Sequence, residues 1–150
     1  MDDQSFSNED VIAAQLKVGN REVFQFLVDQ YSPALYFFAT RLTGNELAGP
    51  RLVETVILKL WKARKGFRTQ AGIKNFLYAS MREACFQYVK DQQPDLADAQ
   101  TWLTIWQETE GYIQREIIRA EVLRQVCNHI DHIPLLQPHH SPAAPNKDYH

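Results

Sequence analysis

The chain has 150 residues, 45% of them hydrophobic, and a formal charge of -2. That is enough to bury one respectable core and too little for two full domains. Its only cysteines, Cys85 and Cys127, both sit among apolar neighbours, which excludes a disulfide framework and predicts buried, reduced thiols in a cytosolic protein. Charge is unevenly placed. Residues 1–90 hold 12 basic and 9 acidic groups and residues 91–150 hold 4 and 9, so the halves carry +3 and -5 and are expected to do different work. The N-terminus, MDDQSFSNEDVIAAQL, lacks the cationic start and apolar run of a signal peptide, and no segment reaches the length of a membrane span. The expected location is the cytoplasm.

Taken in order, the chain reads as all-α. Ser7 followed by Asp10 is a capping-box variant that predicts a helix over 8–18, ended by Gly19. Asn20 is an N-cap candidate for the next helix, whose apolar positions Val23, Phe24, Leu27, Val28 and Tyr31 recur at helical steps. Pro33 is expected to bend or interrupt it, leaving a second piece through Leu35, Tyr36, Phe38, Ala39 and Leu42 to Gly44. Pro50 suits a first helical position, which predicts a third helix over 50–65. Leu52, Val53, Val56, Ile57, Leu60 and Trp61 share its inner side, while Arg51, Glu54, Thr55, Leu58 and Lys62 face outward. Leu58, apolar among polar neighbours, has the look of a small docking patch, although a lone surface leucine is the commoner reading of such a position.

After a loop over 66–72, a fourth helix is predicted over 72–90. Its inner stripe is Ile73, Leu77, Met81, Ala84 and Tyr88, and its outer face carries Lys74, Asn75, Tyr78, Arg82 and Phe86. From Lys59 to Lys90 the chain places eight basic side chains against one acid, Glu83, a local charge of +7 in an acidic protein. Aromatics interleave with those cations at Phe67, Phe76, Tyr78, Phe86 and Tyr88. Cations neutralise phosphates and aromatic faces stack unpaired bases, so the stretch points to a single-stranded polyanion. An ordinary solvated helix face with a core stripe accounts for the same charges about equally well.

Residues 91–111 are acidic, contain Pro94 and read as a linker, with Trp102, Ile105 and Trp106 expected to form one short turn packed on the domain. An amphipathic helix follows over 112–133, with Ile113, Ile117, Ala120, Val126, Cys127 and Ile130 on its apolar stripe. The Pro/His-rich remainder, 134–150, is expected to be disordered. His129, His132, His139 and His140 cluster in sequence, but such a tail cannot make ligands converge, and no metal or other cofactor is expected. A Gly-rich phosphate loop, a zinc-ligand quartet and a nucleophile elbow are all missing, which argues against an enzyme.

The stretches DVIAAQLKVGNREVFQFLVDQYSPALYFFATRLTGN, LVETVILKLWKAR and GIKNFLYASMREACFQYVK, in that order and spacing, resemble region 2 of bacterial RNA polymerase sigma factors of the extracytoplasmic-function group. The later REIIRAEVLRQVCNHIDHIP is similar to the lead-in helix of region 4 in the same family. The resemblance implies a compact helical domain of four helices over 1–90, a linker, and the start of region 4 over 112–133, without that region's helix-turn-helix. It implies that Arg51, Glu54, Thr55, Leu58 and Lys62 dock on the clamp helices of the polymerase β′ subunit. It further implies that Lys65, Phe67, Arg68, Lys74, Asn75, Tyr78, Arg82 and Lys90 meet the melted upstream promoter element on its non-template strand, with an anti-sigma factor as a further partner. This chain departs from the family in Gly49, Pro50 and Arg51, in Glu54 and Thr55, and in Glu83, which puts an acid beside the DNA face. Two other readings stay open: a sigma-like protein that docks on polymerase or an anti-sigma factor without promoter recognition, and a nonfunctional fragment.

Overall fold

The computed structural model describes residues 8–92 and 107–131, with side chains from 11 to 92 and from 107 to 128. Among them are five α-helices: α1 (Asn8–Lys17), α2 (Arg21–Thr43), α3 (Gly49–Lys62), α4 (Gln70–Gln92) and α5 (Glu110–Asp131). A single 3-10 turn, Arg64–Gly66, lies between α3 and α4. The fold is all-α. The proposed Ser7 cap, the Trp102 to Trp106 turn, the histidine cluster and the 134–150 tail lie outside the described residues and side chains.

Helix α2 is the central element, and its ends are fixed by the chemistry of their residues. Asn20 Oδ1 accepts from the backbone N–H groups of Glu22 (2.9 Å) and Val23 (3.1 Å), satisfying two donors that a helix start leaves without partners. At the other end Gly44 adopts φ 70°, a left-handed conformation that costs a glycine nothing, and its N–H closes on the Thr40 carbonyl. Pro33 does not interrupt the helix as expected: α2 runs unbroken for 23 residues. The proline ring is exposed, while Tyr31, Ala34, Leu35, Phe38 and Ala39 around it are buried. Fully burying a large apolar side chain contributes about 1.5–3 kcal/mol, so these neighbours together exceed the roughly 3 kcal/mol a mid-helix proline costs.

The other helices pack their predicted stripes onto α2. Leu52, Val56 and Leu60 of α3 and Ile73, Leu77, Met81 and Cys85 of α4 join Ala13 and Leu16 of α1 in one core. Helix α3 begins tight against α2, since a Cβ on Gly49 would fall 2.5 Å from Tyr36 Cε1, and so the close approach requires glycine there. It ends at Lys62, earlier than its periodicity predicts, because the chain tightens into the 3-10 turn. Thr69 Oγ1 then accepts from the Gly72 N–H (3.0 Å), and α4 starts at Gln70, two residues before the expected start.

Helix α5 packs across α2 and reaches α4 through side-chain bonds, so the two charge-opposed halves of the chain are joined. Its inner stripe is Ile113, Glu116 and Ala120, all buried, with Ile117 half-buried. The predicted stripe fails toward the C-terminal end. Val126 is 47% exposed and Cys127 is exposed rather than buried, because Asn128 and Arg124 take up the contact with Gln30 of α2 there. Gln30 Nε2 donates to Asn128 Oδ1 (3.1 Å), and the Arg124 guanidinium lies over the Tyr31 ring at 4.6 Å.

Candidate nucleic-acid interface

The outward face of α3 holds Arg51, Glu54, Thr55, Leu58 and Lys62 together, all exposed. Leu58 keeps 56% of its surface in solvent. It edges a cavity of about 350 Å³ between α2 and α3, lined otherwise by Arg21, Phe24, Gln25, Ile57 and Trp61. Trp61 is fixed there by an edge-on contact with Phe24 (4.8 Å) and by Arg64, whose guanidinium sits 4.2 Å over the indole. Arg64 also donates to the Trp61 carbonyl (2.8 Å), which makes it a support for the turn. The result is a mixed apolar and polar surface on a rigid helix, suited to a protein partner.

The residues predicted for DNA divide into two groups. Lys65, Arg68 and Asn75 are exposed, and Lys90 is half-buried near the end of α4. Phe67 is half-buried and packs edge-on against Phe76 at 5.1 Å, so it anchors the loop that presents Lys65 and Arg68. Lys74, Tyr78 and Arg82, one helical turn apart along α4, instead face α5. Tyr78, expected on an open face, is 4% exposed. Its ring meets Phe38 edge-on at 5.4 Å, and its hydroxyl donates to Glu121 Oε2 at 2.7 Å.

The α5 carboxylates opposite this face account for the burial of Tyr78. Glu121 accepts from both Tyr78 and the fork of Arg124 (3.0 and 2.8 Å) and lies 3.9 Å from Lys74 Nζ. Burial works against its charge, yet the hydrogen bonds from Arg124 and Tyr78 and the charges of Arg124 and Lys74 outweigh that, holding the carboxyl below its ordinary 4.5. Burial, reinforced by the hydrogen bond to Glu121, raises the Tyr78 hydroxyl far above its ordinary range, so it remains a donor. Glu110 pairs with the Arg82 guanidinium through both oxygens (Nη1–Oε2 3.1 Å), and that hydrogen bonding lowers its carboxyl as well. Between the two helices lies a cavity of about 430 Å³, bordered by Lys74, Asn75, Arg82, Glu83 and Gln114.

Farther along, the buried Glu116 accepts from Arg41 (3.1 and 3.4 Å) and from Arg119 (3.0 Å), which ties α5 to the end of α2. The Tyr112 hydroxyl adds a bond to the Arg41 carbonyl at 3.0 Å. Arg41, Glu110, Glu116, Glu121 and Arg124 were not singled out by sequence reasoning. The one sequence-level hint is the i, i+3 spacing of Glu116 with Arg119 and of Glu121 with Arg124, which by itself describes any solvated helix face.

Among the described residues, no cluster of histidine, cysteine or acidic side chains could hold a metal ion, and no helix is long and apolar enough to cross a membrane. Comparison with known proteins returns one family: residues 27–95 match the model for sigma-70 region 2. The match takes in most of α2, all of α3 and α4 and the turn between them, and it ends before α5. No curated protein and no solved structure matches the chain.

Proposed function

We propose that the chain is a transcription initiation factor, a sigma factor of the extracytoplasmic-function group working in the cytoplasm. In this reading α3 docks on the clamp helices of polymerase β′, and the turn after it, with α4, receives the non-template strand of melted promoter DNA. The observation that carries the reading is the sigma-70 region 2 match, because it falls on the helices that bear the exposed Leu58 face and the cationic turn. No enzymatic chemistry is involved. The work is done by binding free energy: unstacking a base costs a few kcal/mol, which aromatic contact and phosphate neutralisation offset.

The test is a pull-down on RNA polymerase core, paired with anisotropy of a labelled single-stranded promoter oligonucleotide. Leu58 is 56% exposed, so Leu58→Asp should abolish core binding while leaving the thermal melt in place. Exposed Arg68, changed to Ala, should weaken oligonucleotide binding and reduce its logarithmic salt slope by about one. Failure to bind either polymerase or the oligonucleotide refutes the proposal.

One observation favours a second reading, a sigma-like protein that docks on polymerase without recognising a promoter. Three side chains on the proposed DNA face, Lys74, Tyr78 and Arg82, are engaged by α5. That reading expects core binding that fails with Leu58→Asp, together with no oligonucleotide binding under any condition.

A further inference from the structure

We infer that α5 is a built-in cover for the α4 face, in which Glu110 and Glu121 hold the places of nucleic-acid phosphates until single-stranded DNA displaces them. The inference rests on the region 2 reading and concerns how that site is regulated. Lys74, Tyr78 and Arg82 present two cations and a hydroxyl donor at four-residue steps along one side of α4. All three point at carboxylates of α5: Arg82 at Glu110, Lys74 and Tyr78 at Glu121. A carboxylate and a phosphate oxygen make the same demands on these donors, so α5 and a DNA strand cannot both be served.

The two sides of α5 differ in kind. Toward α2 it buries Ile113, Ala120 and Glu116, the last paired with the exposed Arg41. Toward α4 its contacts are mainly polar, around an open cavity of about 430 Å³. The two partly exposed ion pairs each contribute a factor of about five or less and the Tyr78 hydrogen bond a factor of about ten, so a strand offering several phosphates can win the exchange. Lys65 and Arg68, exposed in the covered state, supply the first contact from which a strand can advance along α4. The cover therefore sets a threshold. The region 2 surface stays closed to stray nucleic acid and opens when polymerase delivers melted DNA at high local concentration.

The test uses the full chain. Glu110→Gln with Glu121→Gln keeps the side-chain shapes and removes the two charges, and should tighten binding of a labelled single-stranded oligonucleotide roughly tenfold. A control of equal net charge, Asp29→Asn with Glu46→Gln at exposed positions of α2 and the loop after it, should shift binding by less than about twofold. Hydrogen exchange on the unaltered protein gives a readout that does not depend on the variant folding: protection over 110–128 should fall when the oligonucleotide saturates. Equal affinities of wild type and variant, or undiminished α5 protection in a saturated complex, overturn the cover and leave the region 2 reading standing. Absence of oligonucleotide binding by every form, with and without polymerase core, overturns that reading and the cover with it.

Discussion

Tyr78→Phe isolates the hydroxyl that joins α4 to α5. The ring is buried and stays against Phe38, so the substitution removes one oxygen and one hydrogen bond of 2.7 Å to Glu121. A hydrogen bond to a charged acceptor contributes about 1.5–3 kcal/mol to stability. Glu121 retains Arg124 and keeps 18% of its side chain in solvent, so the loss should fall at the low end, about 1.5 kcal/mol, or about 5 °C in Tm. Urea unfolding followed by tryptophan fluorescence measures it. Because the folded Glu121 carboxyl lies below its ordinary 4.5, its contribution is present above that value and is lost as pH falls through the depressed one. The deficit of the variant should therefore be whole at neutral pH and shrink in acid below the ordinary carboxylate range. A deficit under about 0.3 kcal/mol at neutral pH, or one that does not change with pH, would show that the hydroxyl does not hold the two helices together.

Two further predictions concern the frame. Asn20→Ala deprives the Glu22 and Val23 N–H groups of their acceptor and should cost about 1 kcal/mol in the same unfolding assay, with no change in oligonucleotide affinity. The thiols should separate kinetically. Exposed Cys127 should react at once with a disulfide reagent, whereas buried Cys85, its thiol pushed up to about 12, should react only on unfolding. Simultaneous labelling of both in the native protein would contradict the packing of α4.

The helices themselves follow from short-range chemistry. Asn20 and Gly44 fix the ends of α2, and the four-residue steps of Leu52, Val56 and Leu60 aim α3 at the core, because capping and amphipathic periodicity act within a few residues. The exposed α3 face with Leu58 follows from the same projection. What periodicity could not reveal is which polar face another helix would cover. Tyr78 looked exposed because helical projection sets it with Lys74 and Arg82 opposite the apolar stripe of α4, and Cys127 looked buried because its neighbours are apolar. Their places were decided by residues more than forty positions away, Glu121 for the one and Gln30, through Asn128 and Arg124, for the other. Opposite charge in the two halves of the chain was visible from the start. That the acidic half folds back and sets its carboxylates on the basic face is a matter of distance and direction between α4 and α5, which only the tertiary structure fixes.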